Sequence, residues 1–338
     1  MSDRPRVLVT GGAGYIGSHC CKALAGSGFD PICYDNLSTG HRGFARWGSF
    51  VAGDIRDSAR IAEIVRRYEV VAVMHFAAFS AVGESVVDPH KYYQNNVAGT
   101  LALLSGMREG GCHRLVSSST GAVYGELPGG LIDEDFECKP INPYGVSKRM
   151  IECLLEDYRS AYGFASFCLR YFNACGADES GLIGELREAE THLIPRAMMA
   201  LQGYVSDFSI FGEDYPTPDG TAIRDYIHVT DLALAHVLAL RRLLEGHAGG
   251  CYNIGTGSGF SVREVLAAIA ETTGRTVPSV VKPRRIGDPA ELVANPVKAR
   301  QGLGFVASHS NLATIVSSAW RWHQKAHPLR QNNTSLER

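Results

Sequence analysis

Residues Val7 to Gly17 read VLVTGGAGYIG. An apolar, β-branched run, Arg6 to Thr10, enters a turn with glycines at 11, 12, 14 and 17, and a helical pattern, Ser18 to Ala25, leaves it before Gly28. Few chain segments restrict a fold more. A strand that passes straight into a helix through such a turn belongs to a parallel βαβ unit. The glycines bring bare backbone N–H groups close to whatever lies over the turn, and the helix start adds partial positive charge. Gly12, Gly14 and Gly17 satisfy G-x-G-x-x-G, and Gly11, Gly14 and Gly17 satisfy G-x-x-G-x-x-G. The next strand, Ile32 to Asp35, ends on a carboxylate eighteen residues after Gly17. There it can accept from a ribose 2′-OH, and it would repel a 2′-phosphate. The expected ligand of the turn is a dinucleotide, NAD rather than NADP.

The βα rhythm continues. Ser58 to Tyr68 is amphipathic, Val70 to Phe76 is an apolar strand, and Pro89 to Glu109 reads as one long helix before Gly110 and Gly111. Arg114 to Thr120 is a strand, Pro143 to Tyr162 a helix stopped by Gly163, and Ala165 to Asn173 a strand. Strands apolar on both faces, alternating with helices, predict an α/β, Rossmann-type doubly wound parallel sheet. After Asn173 the pattern shortens: a helix ending at Gly203, a strand at Phe208 to Phe211, and a helix capped by Thr230 and running to about Glu245. The expected division is residues 1–173 as the NAD-binding domain, rejoined by parts of 222–250, residues 174–330 as a smaller α+β substrate domain, and a polar tail at 331–338. A second glycine cluster, Gly255, Gly257 and Gly259, leads into the S-x-x-E box Ser261 to Glu264, so it reads as a helix start and not a second cofactor turn.

Composition excludes more than it selects. The 338 residues carry 33 basic and 35 acidic side chains, a formal charge of −2, which offers no electrostatic reason for a nucleic-acid or membrane partner. No apolar run is long enough to span a bilayer. The first strand starts within a few residues of Met1, leaving no room for a secretory leader. Nine cysteines include no C-x-x-C pair and no metal-ligand spacing. The expectation is a cytoplasmic protein with reduced thiols and no metal.

Tyr144 and Lys148 lie four apart at the start of a predicted helix and share a face. They follow the strand ending in Ser117-Ser-Ser-Thr120, at the carboxyl edge where such sheets bind ligands. Oxidising a sugar alcohol requires a base for the hydroxyl proton. A free phenol, with a pKa of about 10, is a poor one, and lowering it by ~3 units takes about 4 kcal/mol. An ammonium ~5 Å away supplies roughly 3 kcal/mol at an effective dielectric near 20. Lys148 is therefore the expected activator of Tyr144, with the Thr120 hydroxyl holding the substrate oxygen.

The chain resembles the extended short-chain dehydrogenase/reductases, and among them the UDP-sugar 4-epimerases, from Val7 to about Trp322. The resemblance rests on TGGAGYIGSH (10–19), YDNLSTGH (34–41), GDIRD (53–57), HFAA (75–78), VGES (82–85), YYQNNVAGT (92–100), SSTGAVYG (118–125) and INPYGVSK (141–148). It continues through RYFNACGA (170–177), THLIP (191–195), FGEDYPTPDGTAIRDYIHVTDLA (211–233), YNIGTG (252–257) and RRIGDP (284–289). The activity it implies is interconversion of UDP-glucose and UDP-galactose by reversible oxidation at C4, with rotation of a 4-keto sugar and a tightly held NAD. Gly11, Gly14, Tyr15, Ile16 and Gly17 would hold the pyrophosphate. Asp35, Asn36, Leu37, Ser38, Thr39 and Gly40 would surround the adenosine ribose, and Asp54 and Ile55 the adenine. Phe76, Ala77, Ser80, Asn95, Thr120, Tyr144, Lys148 and Phe172 would line the rest of the cofactor site.

The resemblance places the UDP-sugar against Thr120, Tyr144, Asn173, His192, Leu193, Phe211, Arg224, Arg285, Asp288 and Leu292. Arginines suit a diphosphate and Asp288 suits a ribose diol. Three positions depart from relatives. Ser80 stands where some carry lysine, His192 where others carry asparagine, and Leu292 at a position that gates 2-acetamido sugars. UDP-GlcNAc, a UDP-pentose or UDP-glucuronate remain alternative substrates, and a non-catalytic NAD sensor is the alternative of another class. A 4,6-dehydratase is opposed by Gly121 and Ala122, which occupy the places of its acid-base pair. The resemblance also implies a homodimer packed through Pro89–Glu109 and Pro143–Tyr162.

Overall fold

The computed structural model describes residues 4–126, 130–206, 208–285 and 288–326. The expected polar tail at 331–338 lies outside them. The chain begins β1 (Arg6–Thr10), α1 (Tyr15–Gly26), β2 (Asp30–Asp35), β3 (Ser49–Ala52), α2 (Ser58–Arg67), β4 (Ala72–His75), α3 (Val82–Val87), α4 (Pro89–Tyr92), α5 (Gly99–Gly110) and β5 (Arg114–Thr120). Then come β6 (Leu131–Ile132), α6 (Pro143–Tyr162), β7 (Ala165–Tyr171), β8 (Asn173–Cys175), α7 (Leu193–Leu201), β9 (Ser209–Phe211), β10 (Ile223–Arg224), β11 (Tyr226–His228), α8 (Val229–Leu244) and β12 (Gly249–Ile254). The last are β13 (Phe260–Ser261), α9 (Val262–Thr273), β14 (Val280–Lys282), β15 (Glu291–Ala294), α10 (Val297–Leu303) and α11 (Leu312–Ala326).

Seven strands form one parallel sheet in the order β12-β7-β5-β4-β1-β2-β3. This is the doubly wound arrangement that the βα rhythm predicts. Side chains of α1 and α8, such as Leu24, Leu232 and Leu240, bury against one face of the sheet. Ile61, Leu103, Ile151 and Leu155 of α2, α5 and α6 bury against the other. The chain moves outward from β1 through β2 to β3 and then returns to β4 beside β1. That reversal opens a crevice at the carboxyl ends of β1 and β4, the place where open α/β sheets take ligands.

The later residues build smaller units at this edge. Strands β13, β10, β15 and β6 form a second sheet, and β8–β11 and β9–β14 are parallel pairs. Helices α7, α9 and α11 share a separate apolar core, with Met198, Ile269 and Val316 inside it. Among the described residues no helix is long and apolar enough to cross a membrane. The nine cysteines are all unpaired.

Three local expectations change. The long helix at Pro89 to Glu109 is interrupted by a wide π turn over Tyr93–Ala98. Such a turn fits an extra residue into the helix and often marks a functional position. Here it carries Asn95 and Asn96, and Asn96 grips the backbone of Phe79. The strand expected through Asn173 stops at Tyr171, and Asn173 instead opens β8 against β11. Helix α8 is capped by His228, whose Nδ1 accepts from Thr230 N–H at 3.1 Å, and not by Thr230 itself. The Ser261–Glu264 capping box forms as read. The glycine cluster before it wraps a carboxylate of the chain itself: Asp225 accepts from Thr256 N–H and Ala294 N–H.

Candidate active site

The glycine turn ends β1 and starts α1. Gly11 has φ +71°, and a Cβ there would lie 2.6 Å from Ala77 N. A Cβ on Gly17 would lie 2.1 Å from Gly11 O. Gly14 N–H donates to that carbonyl at 3.1 Å and closes the turn. The N-cap of α1 is Gly14, which has no side chain to turn back on the first-turn amides. A cradle too tight for any Cβ, lined by main-chain donors at a helix start, fits a pyrophosphate. Tyr15 and Ile16 open α1, and the Tyr15 hydroxyl donates to Gly176 O at 2.6 Å, tying the turn to the second half of the chain.

Asp35 ends β2 and is 8% exposed. Its carboxylate accepts from Ala13 N–H at 2.9 Å and Leu37 N–H at 2.8 Å, so it braces the turn while each oxygen keeps a lone pair. Burial raises its pKa, and the two backbone donors oppose that. Gly40 is pressed against the same carboxylate, whereas Asn36, Leu37, Ser38 and Thr39 are exposed at the rim. Asn36 donates to Asp54 at 3.0 Å, and hydrogen bonds from Arg56 hold the Asp54 carboxyl well below the usual range. Ile55 is buried against Gly99. These groups, with the glycine turn, form one rim suited to an adenosine.

The other end of the crevice holds the predicted reactive groups. Thr120 is the last residue of β5. Tyr144 lies in the first turn of α6, whose start is set by Asn142 accepting from Gly145 N–H and by Pro143 at the first turn. The Tyr144 phenol is buried at the end of β5, and the Thr120 side chain acts on it. Burial pushes its pKa above 10, while Thr120 and the charge of Arg187 pull it down. Lys148 is buried, its Nζ donates to Ser118 O at 2.8 Å, and burial lowers its pKa to about 8. The structure thus brings Thr120 and Tyr144 together and sets Lys148 one helical turn away. The ammonium donates to a β5 carbonyl, because a buried ammonium needs an acceptor.

Around them, the Phe76 ring packs tilted against His236 with centroids 4.8 Å apart, and Ala77 backs onto Gly11. Phe172 fills the space over Gly121, where a Cβ would lie 2.6 Å from the ring. Asn95 donates to Asn96 at 3.0 Å, and Asn96 in turn bonds Phe79 N–H at 2.9 Å and Ser147 Oγ at 3.1 Å. This fixes the loop after β4, which carries Ser80. Ser80 Oγ accepts from Arg187 Nη1 at 3.5 Å.

The remaining expected residues stand on the second-half elements. Asn173 Nδ2 donates to Asp225 O at 3.2 Å. His192 caps the start of α7, its Nδ1 lies 2.7 Å from Glu185 Oε1, and Glu185 raises its pKa. Leu193 follows it and packs on the core of α7, α9 and α11. Glu185, Glu190 and His192 are close enough to share a cation. However, Glu185 Oε1 already accepts from Arg187 Nε at 2.9 Å as well as facing His192, so protein cations balance the acids. Arg224 is paired with Asp288 and donates to Pro289 O at 2.9 Å, and the Arg285 guanidinium lies 4.0 Å over the Phe211 ring. Leu292 packs beside Phe172, Val123 and Tyr124. Arg187, Glu185 and Asn96 were not found by sequence reasoning. Arg187 lies in an aperiodic stretch, and Asn96 inside what reads as an unbroken helix.

The NAD dependent epimerase/dehydratase family model matches residues 7–255. The chain is 50% identical to the UDP-glucose 4-epimerase of Rhizobium leguminosarum bv. trifolii over 320 residues, covering 95% of this chain and 98% of that one. The crystal structure of UDP-glucose 4-epimerase from Brucella ovis in complex with NAD superposes with a TM-score of 0.92 at 52% identity, covering 94% and 97% of the two chains. The Bifidobacterium longum UDP-glucose 4-epimerase, in complex with NAD+ and UDP, gives 0.89 at 37% identity, covering 95% and 98%. The sheet order, the glycine cradle and the near full-length similarity agree: the chain belongs to the NAD dependent epimerase/dehydratase family.

Proposed function

We propose that this protein interconverts UDP-glucose and UDP-galactose, inverting the sugar at C4. The observation that carries the reading is that Thr120 ends β5 and Tyr144 opens α6 beside it at the carboxyl edge of the sheet whose first strand ends in the glycine cradle. NAD held at the glycine turn would supply the hydride acceptor for oxidation at C4 and the donor for the reverse half. Gly11, Gly14 and Gly17 hold the cofactor's pyrophosphate, and Asp35 takes a ribose hydroxyl on its free lone pairs. Thr120 receives the 4′-hydroxyl of the sugar and hands its proton to Tyr144, which returns a proton in the reverse half. Lys148 keeps two N–H donors beyond its bond to Ser118 O, and these suit ribose hydroxyls.

Arg224 and Arg285 anchor the diphosphate, and Asp288 the uridine ribose, with Asn173, His192, Leu193 and Phe211 completing the nucleotide contact. Anchoring at the nucleotide leaves the hexose to turn, and epimerisation needs that freedom. The reading also takes residues 1–173 with part of 222–250 as the cofactor domain, and 174–330 as the sugar-nucleotide domain.

The test is Tyr144→Phe. The variant is expected to hold NAD and lose epimerase turnover of UDP-galactose by at least a hundredfold, in line with loss of a general base. Near-normal turnover with NAD bound would overturn the assignment. The reading includes a homodimer. The outer faces of α5 and α6 expose Leu101 (46%) and Met150 (43%) beside a groove lined by Val97, Pro140, Val146 and Leu154. Exposed apolar side chains gathered on two adjacent helices suit a second copy of the same surface.

A further inference from the structure

The segment that follows Asp35 closes a circuit with the second half of the chain, and His41 is its first link. His41 N–H donates to Ala13 O at 2.9 Å, within the glycine turn, and Ala13 N–H in turn donates to Asp35 at 2.9 Å. Both ends of the 35–41 segment are therefore pinned to one residue of the cradle. The His41 ring reaches the other way. Its Nε2 donates to Leu186 O at 3.0 Å, since a carbonyl only accepts. The same ring packs on Phe44 with centroids 5.0 Å apart, and Phe44 meets Trp322 of α11 edge-on at 5.6 Å. Trp322 Nε1 then donates to Glu185 O at 2.8 Å. The aromatic stack thus begins and ends on neighbouring carbonyls of the loop between β8 and α7. A Cβ on Gly184 would lie 2.4 Å from the Trp322 ring, so the loop is moulded to the stack. Phe44, Ala177, Ile183 and Trp322 form a small core drawn from both halves of the chain.

We propose that His41 is a positioning residue that clasps the rim of the NAD cradle to the loop between β8 and α7 and so slows release of the cofactor. This rests on the reading of the Gly11–Gly17 turn and Asp35 as the NAD cradle. The reaction sets the need, because oxidation and return at C4 require the cradle to stay closed while the 4-keto sugar turns. The exposed rim residues Asn36 to Thr39 hang between two fixed points, Asp35 at the end of β2 and His41. With His41 free of the loop, the rim would swing outward on Asp35 and widen the mouth of the cradle. Two other ties join the same parts of the chain. The Tyr15 hydroxyl donates to Gly176 O at 2.6 Å, and Lys22 of α1 pairs with Asp178. They fasten α1 to the start of the loop, whereas His41 fastens the rim itself. The far end of the loop carries Glu185, whose carboxylate faces His192 at the start of α7. The clasp thus holds the adenosine rim and the start of α7 in one frame.

The test compares His41→Phe, which keeps a ring against Phe44 and loses the donor, with His41→Gln, whose side-chain amide restores a donor toward Leu186 O. The readouts are the rate at which bound NAD exchanges with labelled NAD, the KM and kcat for UDP-galactose at saturating NAD, and the thermal midpoint. Loss of one hydrogen bond predicts that His41→Phe exchanges NAD roughly threefold to tenfold faster, with KM for UDP-galactose little changed. His41→Gln should recover most of the slow exchange. Trp322→Phe, at the other end of the stack, gives up the bond to Glu185 O and should also speed exchange, although it stands on α11. The proposal is overturned if folded His41→Phe exchanges NAD at the wild-type rate, or if His41→Gln exchanges as fast as His41→Phe. Should the His41 variants not fold, Trp322→Phe decides: wild-type exchange there overturns the proposal and faster exchange supports it. If Gly17→Ala, which crowds the turn, keeps the wild-type NAD content, the reading of the cradle fails first, and the two failures are distinguishable.

Discussion

Two glycines on α1 make opposite predictions. A Cβ at Gly17 would lie 2.1 Å from Gly11 O, and real contacts of this kind need about 3.1 Å or more. The Gly17→Ala variant must therefore push the turn open by about 1 Å. The first loss is the Gly14 N–H to Gly11 O bond, worth about 1 kcal/mol. The second is alignment of the turn's amides with the cofactor pyrophosphate, where one charge-assisted hydrogen bond is worth about 1.5–3 kcal/mol. Together these amount to about 2.5–4 kcal/mol, a weakening of NAD binding by a factor of roughly 60 to 700. Gly26, in the last turn of the same helix, has nothing within 4 Å of its Cβ position and is exposed. Gly26→Ala should bind NAD normally and gain up to about 0.5–1 kcal/mol in stability. The assay is the NAD released on denaturing each purified, gel-filtered protein, followed by titration of the stripped proteins with NAD and by thermal unfolding. If Gly17→Ala retained the wild-type NAD content and affinity, the steric account of the turn would be refuted.

Glu152, 1% exposed in α6, takes Arg170 Nε and Nη2 at 2.8 and 2.7 Å and Ser119 Oγ at 2.7 Å. Glu152→Ala strands a buried guanidinium, which costs about 3–5 kcal/mol. The thermal midpoint should fall by roughly 5 °C, and a fall under about 1 °C would show that Arg170 finds another partner. Sedimentation at micromolar concentration is expected to find a dimer for the wild type and monomer for Met150→Glu combined with Leu101→Glu. A wild-type monomer would remove the proposed interface.

Local rules made much of the fold legible. β5 and α6 fall on the residues their patterns predict, Arg114–Thr120 and Pro143–Tyr162, because a β-branched run and an Asn-Pro start with a Gly163 stop are local signals. The glycine turn and Asp35 are likewise local, one strand and one helix apart. β3 was not legible, since four half-exposed residues carry no period, and the two-residue strands β6, β10 and β13 exist only through their partners. The π turn at Tyr93–Ala98 is set by Asn96 reaching Phe79, a contact made across the fold.

The sequence by itself determined the parallel sheet and the glycine turn that cradles the cofactor, since each is written in the spacing of neighbouring residues. Only the tertiary structure decided where the charges go. Lys148 is adjacent to Tyr144 by helical spacing, yet burial sends its ammonium to Ser118 O. Arg187 is 107 residues from Ser80 along the chain, yet the fold brings its Nη1 to 3.5 Å from the Ser80 hydroxyl while Glu185 pairs with its Nε. Electrostatic interaction depends on distance and desolvation through space, and neither is encoded in separation along the chain.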